Sequence, residues 1–246
     1  MNAHATKPKN KTNGELTTRI LECQQAGINL LPIGSYEDKR PLVKKWSHLQ
    51  TESMTAEDYA FLQESGVEGI AMICGPVSGG LLAIDFDNLQ AYDDFAYLMQ
   101  ASDDDGIVSL WGRVSGGYEE KSGKGLHILV YLDPATGEFP RNEKWAFGEA
   151  DPEKSEPPPA TIETRASGGY IIVAPSFKSK YKQTAGGIAS IARITLAEYQ
   201  ALKNTALAVC KHGGNPPVRT AGENILTVGS DTNESLISKF NQSAKG

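Results

Sequence analysis

Two aspartates stand two positions apart in an apolar stretch of the sequence. The segment LLAIDFDN, residues 81–88, places Asp85 and Asp87 among residues typical of a strand interior. Residues two apart on a strand point to the same face, so the two carboxylates should lie side by side. Burying an ionised carboxylate is costly unless a positive partner meets it. Paired oxygen donors suit Mg²⁺ or Mn²⁺, which bind through one or two carboxylates with water and substrate phosphate.

A second pair of aspartates has the same spacing. Asp103 and Asp105 lie in the polar cluster SDDDG, which is typical of a solvated turn. Two aspartates at this spacing occur often by chance, so the spacing alone is a weak signal. The apolar flanks of Asp85 and Asp87 distinguish the first pair from the second.

A glycine-rich turn leads into a strand that carries a histidine. In KSGKGLHILVYL, the turn from Ser122 to Gly125 runs directly into the strand with His127. Backbone N–H groups of such a turn, together with Ser122 and Lys124, could bind phosphate, and His127 could donate to a phosphate oxygen. The segment is not a Walker loop, because Tyr118 stands where glycine is required. Taken alone, His127 is more simply interpreted as a half-buried histidine satisfied within a sheet.

A third segment, ATIETRASGGYIIVAPS, brings an acid and an arginine to one strand face. Glu163 and Arg165 alternate with Ile162 and Thr164, so both could point into a cleft. A cross-strand ion pair on a sheet surface would give the same pattern and contributes little to stability. The segment therefore leaves both interpretations open.

Composition limits the classes of protein that fit. The chain has 246 residues, 39% of them hydrophobic, which suffices for one large domain or two small ones. A net charge of −6 argues against coating nucleic acid by bulk electrostatics. Lys and Arg exceed acids in residues 1–50, whereas residues 51–110 contain acids but no Lys or Arg. This asymmetry fits a metal site beside a basic surface, as it fits a solvated acidic helix face.

Apolar runs and cysteines indicate where the chain works. No run is long enough to span a bilayer and the start lacks a secretory segment, so we expect a cytoplasmic protein. The three cysteines are widely separated and in no CxxC pair, which predicts buried free thiols rather than disulfides or a zinc knuckle.

The elements that must position the motifs alternate at first and then become rich in strands. A helix should end at Gly27, a second should begin at the capping residue Thr55, and a last one should run from Thr195 to about Cys210. A helix is also expected at about 89–99. The predicted strands are INLLPI, GIAMIC, LLAIDFD, IVSLWGRV, GLHILVYL, ATIETRA and GYIIVAPS, the last two joined by a hairpin turn at SGGY.

Together the three motifs resemble the primase-polymerase (PrimPol) domain of the archaeo-eukaryotic primase superfamily, in the form found in replication proteins of plasmids and phages. That family has a DxD strand, a histidine strand entered by a glycine-rich turn and a third strand with an acid, and AIDFD, SGKGLH and IETR follow in this order. Lys39, Pro41 and Trp46 before IAMICG, and RASGGYIIVAPS after the third motif, are similar to the family pattern. The resemblance spans roughly residues 28–176.

The resemblance implies roles for particular residues. Asp85, Asp87 and Glu163 would be catalytic and hold two divalent ions, Mg²⁺ or Mn²⁺, and His127 would join them as a catalytic residue. The incoming NTP or dNTP would be bound by Ser122, Lys124, His127, Arg165 and, as a weaker candidate, Lys39, beside Arg40, Lys44 and Lys45. A second glycine-rich turn, Ser115 to Gly117, could replace the first one in this role. No structural zinc is expected.

The resemblance also implies the fold and the activity. We expect an α/β (α+β) domain at residues 14–211, with a mostly antiparallel catalytic sheet like that of RNA-recognition folds packed with an N-terminal α/β module. Residues 1–13 are predicted to be a disordered tail and residues 212–246 a linker. The implied function is template-dependent DNA priming or polymerisation on single-stranded DNA during replication of a plasmid, phage or other mobile element. A helicase domain or protein is a possible partner, and no membrane is involved.

Three other functions fit parts of the pattern. A non-catalytic module that binds single-stranded nucleic acid could use the same fold. A sugar-nucleotide transferase could use the DxD pair to hold metal and diphosphate, but it gives no reason for the other two motifs. A metal-dependent nuclease could also use paired carboxylates.

Overall fold

The computed structural model describes residues 12–133, 138–149, 151, 153 and 157–210. The linker predicted at 212–246 and the tail predicted at 1–13, apart from Thr12 and Asn13, lie outside the described residues. Thr12 is buried and its hydroxyl donates to the Leu62 carbonyl at 2.9 Å. The Asn13 side chain caps the first helix by accepting from the Glu15 N–H.

Helices and strands alternate in the first half and strands dominate the second. The helices are α1 (Gly14–Ala26), α2 (Ala56–Glu64), α3 (Leu89–Gln100), α4 (Asp105–Gly117), the single turn α5 (Ser176–Ser179) and α6 (Leu196–Val209). The strands are β1 (Leu30–Ile33), β2 (Gly69–Ile73), β3 (Leu81–Phe86), β4 (Tyr118–Ser122), β5 (Gly125–Leu132), β6 (Lys144–Phe147), β7 (Ala160–Arg165), β8 (Tyr170–Ile172), β9 (Tyr181–Gly186) and β10 (Ala192–Ile194).

The strands form a large sheet and a small one. The large sheet has the order β6-β7-β3-β5-β4-β9, and β10 pairs with the far end of β5. Its pairings are antiparallel except that of β10 with β5. The small antiparallel sheet, β1-β2-β8, packs with α1 and α2 as an N-terminal module. This α+β arrangement, with a mostly antiparallel main sheet, confirms the predicted fold class.

Alternation along β3 separates two apolar cores. Leu82, Ile84 and Phe86 are fully buried on the face that packs against α3, α4 and α6. Leu81 and Ala83 are equally buried on the opposite face, against α1, α2 and the small sheet. Burial of apolar surface in each core stabilises the fold by roughly 25 cal/mol per Å². The central strand β3 is thus held by apolar packing on both of its faces.

Helix boundaries agree with the capping residues in the sequence. Thr55 and Thr195 each open a helix with a complete capping box, with Asp58 and Glu198 as the reciprocal acids. Gly27 ends α1 in the left-handed conformation, at φ 68°.

Three local predictions were wrong, one of them only in part. The segment IVSLWGRV, predicted as a strand, lies in α4, where Ile107, Leu110, Trp111 and Val114 are buried at helical spacing. Asp104 starts this helix by accepting from the Gly106 N–H at 2.8 Å, so part of the expected turn SDDDG is a helix start. The segment SGGY is not a hairpin, because β7 and β8 lie in different sheets.

The prediction of three buried free thiols is confirmed for two cysteines and wrong about the burial of the third. Cys23 and Cys74 are buried free thiols, as predicted, and Cys210 is free but only partly buried. No helix in the described part of the chain is long and apolar enough to cross a bilayer.

Candidate active site

Strand register brings four ionisable side chains into one row. Asp85 on β3 pairs with His127 on β5 and with Glu163 on β7. His127 in turn pairs with Glu120 on β4. Because directly paired residues point to the same face of a sheet, the row Glu163, Asp85, His127, Glu120 crosses four adjacent strands. Residues far apart in the sequence therefore meet at one end of the sheet.

A pocket of about 340 Å³ opens over this row. Every residue of the predicted site lines it, namely Lys39, Asp85, Asp87, Ser122, Lys124, His127, Glu163 and Arg165. The weaker candidates Arg40, Lys44 and Lys45 are not among its lining residues. The alternative turn, Ser115 to Gly117, is the end of α4 and does not line the pocket either.

Asp85 is the carboxylate that the strands hold most firmly. Its Oδ1 lies 3.3 Å from His127 Nε2 and its Oδ2 lies 3.8 Å from an Arg165 nitrogen. Burial alone would raise the pKa of Asp85, but the hydrogen bond and charge of His127, with Arg165, lower it below its usual value. Asp85 is therefore ionised at neutral pH.

Asp87 and Glu163 have the opposite electrostatic tendency. Desolvation and the neighbouring charge of Asp85 raise the pKa of Asp87, which lies one residue beyond the end of β3. Desolvation also raises the pKa of Glu163. The charge of Arg165 acts to lower this pKa, and the charges of the two aspartates raise it further. The Arg165 guanidinium binds the Glu163 carboxylate directly. Three acids thus crowd one pocket, and added positive charge would relieve their repulsion.

His127 lies between two carboxylates. Its Nδ1 is 2.9 Å from Glu120 Oε1, opposite the contact of Nε2 with Asp85. Burial would lower the pKa of His127, but the bonds to Asp85 and Glu120 raise it to about 9. The ring is also 5.9 Å from that of Tyr181, centroid to centroid. His127 is therefore a held cation facing the pocket, not an isolated core histidine.

The glycine-rich turn can approach the pocket closely because two of its positions have no room for a side chain. Gly123 has φ 60°, and a Cβ there would lie 2.5 Å from the Tyr36 hydroxyl. A Cβ on Gly125 would lie 1.8 Å from the Phe86 carbonyl oxygen. The β4–β5 connection can therefore pass close to β3, which brings Ser122 and Lys124 to the pocket wall.

Sequence reasoning missed several residues of the site. Glu120 is fully buried, yet β4 was not predicted, so nothing marked this acid as inward-facing. The alternation Tyr118, Glu120, Ser122 was the available signal. Unlike Glu120, which lies behind the pocket, Tyr181 and Asn142 line it, and neither belongs to a recognisable motif. The Asn142 side chain accepts from the Ala166 N–H at 2.8 Å, which ties the pocket rim to the end of β7.

The donor chemistry fits a hard divalent cation, although the side chains are not gathered as a finished metal site. Among the described residues, no group of three or more His, Cys, Asp or Glu is arranged to hold a metal ion. Asp85 faces His127 and Arg165, and Glu163 is bound by Arg165. Asp87 is exposed and available. Carboxylate oxygens are the ligands Mg²⁺ and Mn²⁺ prefer, and Glu163 would exchange Arg165 for an ion.

The pocket therefore combines acids with separate cations. Lys39, Lys124, His127 and Arg165 line the same cavity as the three carboxylates. Neither lysine is in an ion pair within the part of the chain that the structure describes. Such a cavity can bind a polyanion such as a triphosphate on its basic residues and a hard cation on its acidic ones.

Comparison with known proteins agrees with this chemistry. A family model described as "Bifunctional DNA primase/polymerase, N-terminal" matches residues 20–196, which include every residue of the pocket. No curated protein matches the chain in sequence. The family match confirms the resemblance that the three motifs indicate.

Proposed function

Because the chain belongs to the bifunctional DNA primase/polymerase N-terminal family, we propose that it is a template-dependent nucleotidyltransferase. It starts or extends strands on single-stranded DNA by transferring a nucleotide from NTP or dNTP to a 3′-hydroxyl. The observation that carries the proposal is the row Glu163, Asp85, His127, which strand register brings to one pocket together with Lys39 and Lys124, two lysines that form no ion pair within the described residues.

The basic residues of the pocket bind the nucleotide. The triphosphate contacts three residues on or beside the β4–β5 turn, Ser122, Lys124 and His127. Arg165 at the end of β7 and Lys39 in the loop after β1 line the same pocket and bind it too. Charge-assisted hydrogen bonds of this kind are about twice as strong as neutral ones. Binding at several points also orients the reacting phosphate, which lowers the entropic cost of reaction.

The acidic residues position metal rather than take protons. Asp85, Asp87 and Glu163 would hold two Mg²⁺ or Mn²⁺ ions, which when bound stabilise phosphoryl charge and activate the attacking hydroxyl. The lowered pKa of Asp85 keeps this ligand ionised at neutral pH. Desolvation first, and repulsion between the acids second, raise the pKa values of Asp87 and Glu163, and a bound cation would relieve the repulsion.

The cellular setting is part of the proposal. DNA and nucleotides are the substrates that the family description implies. We place the activity in the cytoplasm, in replication of a plasmid, phage or other mobile element, with a helicase as the expected partner.

A strand-synthesis assay tests this function. Unprimed and primed single-stranded DNA are incubated with labelled nucleotides and Mg²⁺ or Mn²⁺, using the parent chain and an Asp85→Ala, Asp87→Ala double variant. An Asp103→Ala, Asp105→Ala double variant is the matched control, because it removes two aspartates of equal spacing at exposed positions.

The assay separates the candidate functions. New or longer strands from the parent and the control, but not from the Asp85 and Asp87 variant, support the proposal. Shortened strands would indicate a nuclease. Unchanged strands with retained DNA binding would indicate a non-catalytic binding module.

A further inference from the structure

A buried acid lies behind the pocket, on the side of His127 that faces away from Asp85. Glu120 is 0% exposed, whereas acidic residues are almost never fully buried unless they are paired. It does not line the pocket, and no motif includes it. An uncompensated charge at this depth would be very costly, so its partners explain why it is retained there.

Glu120 is satisfied by three donors from three parts of the fold. Its Oε1 is 2.9 Å from His127 Nδ1 on β5. Its Oε2 accepts from the Tyr118 hydroxyl at 2.8 Å and from the Ala174 N–H, just after β8, at 2.7 Å. These distances are those of good hydrogen bonds, so the carboxylate has little freedom to rotate. A fixed acceptor in turn fixes the ring that donates to it.

The same contacts decide which of the two ring nitrogens of His127 faces the interior. A carboxylate only accepts hydrogen bonds, and both oxygens of Glu120 are already aligned with donors. Nδ1 of His127 must therefore donate to Glu120. Nε2 is left pointing to Asp85 and the pocket, which is the orientation needed for a contact with substrate phosphate.

The network continues into the N-terminal module. Arg19 on α1 donates to the Tyr118 hydroxyl at 3.4 Å, and its guanidinium lies 5.5 Å from the centre of the Tyr118 ring. Ala174 follows β8 of the small sheet. The orientation of Glu120 thus depends on how α1 and the small sheet are packed against β4.

We propose that Glu120 is the positioning residue for His127: it holds the imidazole with Nδ1 inward and Nε2 towards the substrate, and it makes this orientation depend on packing of the N-terminal module. This inference rests on the proposed function, because it deepens the role of His127 in nucleotide binding. Acids that hold a histidine from behind are best known at metal sites, where their loss typically reduces metal affinity or activity roughly 10- to 100-fold, and we expect a loss of similar size here.

The test uses variants of neighbouring acids on one strand. Glu120→Gln keeps an acceptor oxygen and the shape, while Glu120→Ala removes both. Glu119→Gln is the matched control, because Glu119 is the adjacent acid on β4 and binds Tyr92 and Thr184 instead of His127. All are made in the full chain, and circular dichroism and thermal melting establish which of them fold.

The first readout needs no catalysis. Imidazole ¹⁵N–¹H correlation spectra report the hydrogen-bond environment of each ring nitrogen, and a His127→Ala spectrum assigns the signals of His127 among the four histidines of the chain. We expect the Nδ1 signal of His127 to move in both Glu120 variants and to stay unchanged in Glu119→Gln. An unchanged His127 signal in a folded Glu120→Gln chain would overturn the proposal.

The second readout separates positioning from general damage. We expect KM for the nucleotide to rise roughly tenfold or more in Glu120→Ala and less in Glu120→Gln, with KM for the DNA strand unchanged. Equal losses in both KM values, or no loss, would contradict a role through His127. If the parent makes no strands, the proposed function fails, while the spectra still test the positioning of His127.

Discussion

The two faces of β3 carry the same sequence period and opposite chemistry. On one face, Leu82, Ile84 and Phe86 are fully buried under three helices. On the other, Leu81 and Ala83 are buried near the start of the strand, but Asp85 and Asp87 follow at its end, in the pocket. One strand therefore supplies both apolar side chains for the core and carboxylates for the pocket. The apolar face fixes the register, and register alone decides which acids meet.

The largest effect on stability should come from placing a charged side chain on the apolar face of β3. Ile84→Asp would place a carboxylate at a position that is 0% exposed among apolar side chains. We expect a loss of more than about 4 kcal/mol of unfolding free energy, a large part of the 5–15 kcal/mol typical of a domain. Urea denaturation followed by circular dichroism measures it. A chain that retains parental stability would contradict the assignment of Ile84 to the core.

The next effect concerns activity without folding. Asp85→Ala should lower strand synthesis roughly a thousandfold or more, because metal positioning supplies several kcal/mol of transition-state stabilisation. We expect the urea midpoint to change far less than in Ile84→Asp, since the apolar face is untouched. Steady-state kinetics and urea melts of the same preparations check both statements. Parental activity in a folded variant would remove Asp85 from the catalytic set.

A smaller effect is expected from metal on the folded state. At ten times its dissociation constant, Mg²⁺ or Mn²⁺ should stabilise the chain by about 1.4 kcal/mol, a rise of a few degrees in Tm. Thermal melting curves recorded in metal-free buffer, with and without added Mn²⁺, measure this rise in Tm. The Asp85→Ala, Asp87→Ala variant should show no rise, and an equal rise there would mean that the ion binds elsewhere.

The smallest effect should lie on the helical face, far from the chemistry. Thr195→Ala removes the hydroxyl that caps α6 and leaves the Glu198 N–H without its partner. We expect a loss of about 1 kcal/mol in unfolding free energy with unchanged KM and kcat. Thermal melts and kinetics test this, and a kinetic change would show that α6 communicates with the pocket.

Local signals predicted the three motifs, and distant pairings decided the site. Period-two alternation correctly placed the side chains of Asp85 and Phe86 on opposite faces of β3, and the glycines correctly marked the turn before His127. The pairing of Asp85 with Glu163 joins strands that are far apart in the sequence, which alternation does not report. The pairing of Glu120 with His127 joins the neighbouring strands β4 and β5, and it was missed because β4 was not predicted.

The errors have a local physical cause. IVSLWGRV is short and apolar, and such a run fits a buried strand as well as a helix face until its cap at Asp104 is considered. Assigning it to a strand also hid β4, which follows it directly. Glu120 was missed for this reason, since its inward direction becomes visible only once β4 is recognised.

Arg165 also supplies the acidic pocket with a positive charge of its own. It contacts both Glu163 and Asp85, so the acidic pocket contains its own counter-charge from the moment β3 and β7 pair. Like charges that would otherwise resist strand assembly are neutralised by a residue two positions along the same strand. Arg165 therefore lets the sheet close around these acids without a bound ion, and any cation that binds Glu163 would have to compete with this arginine.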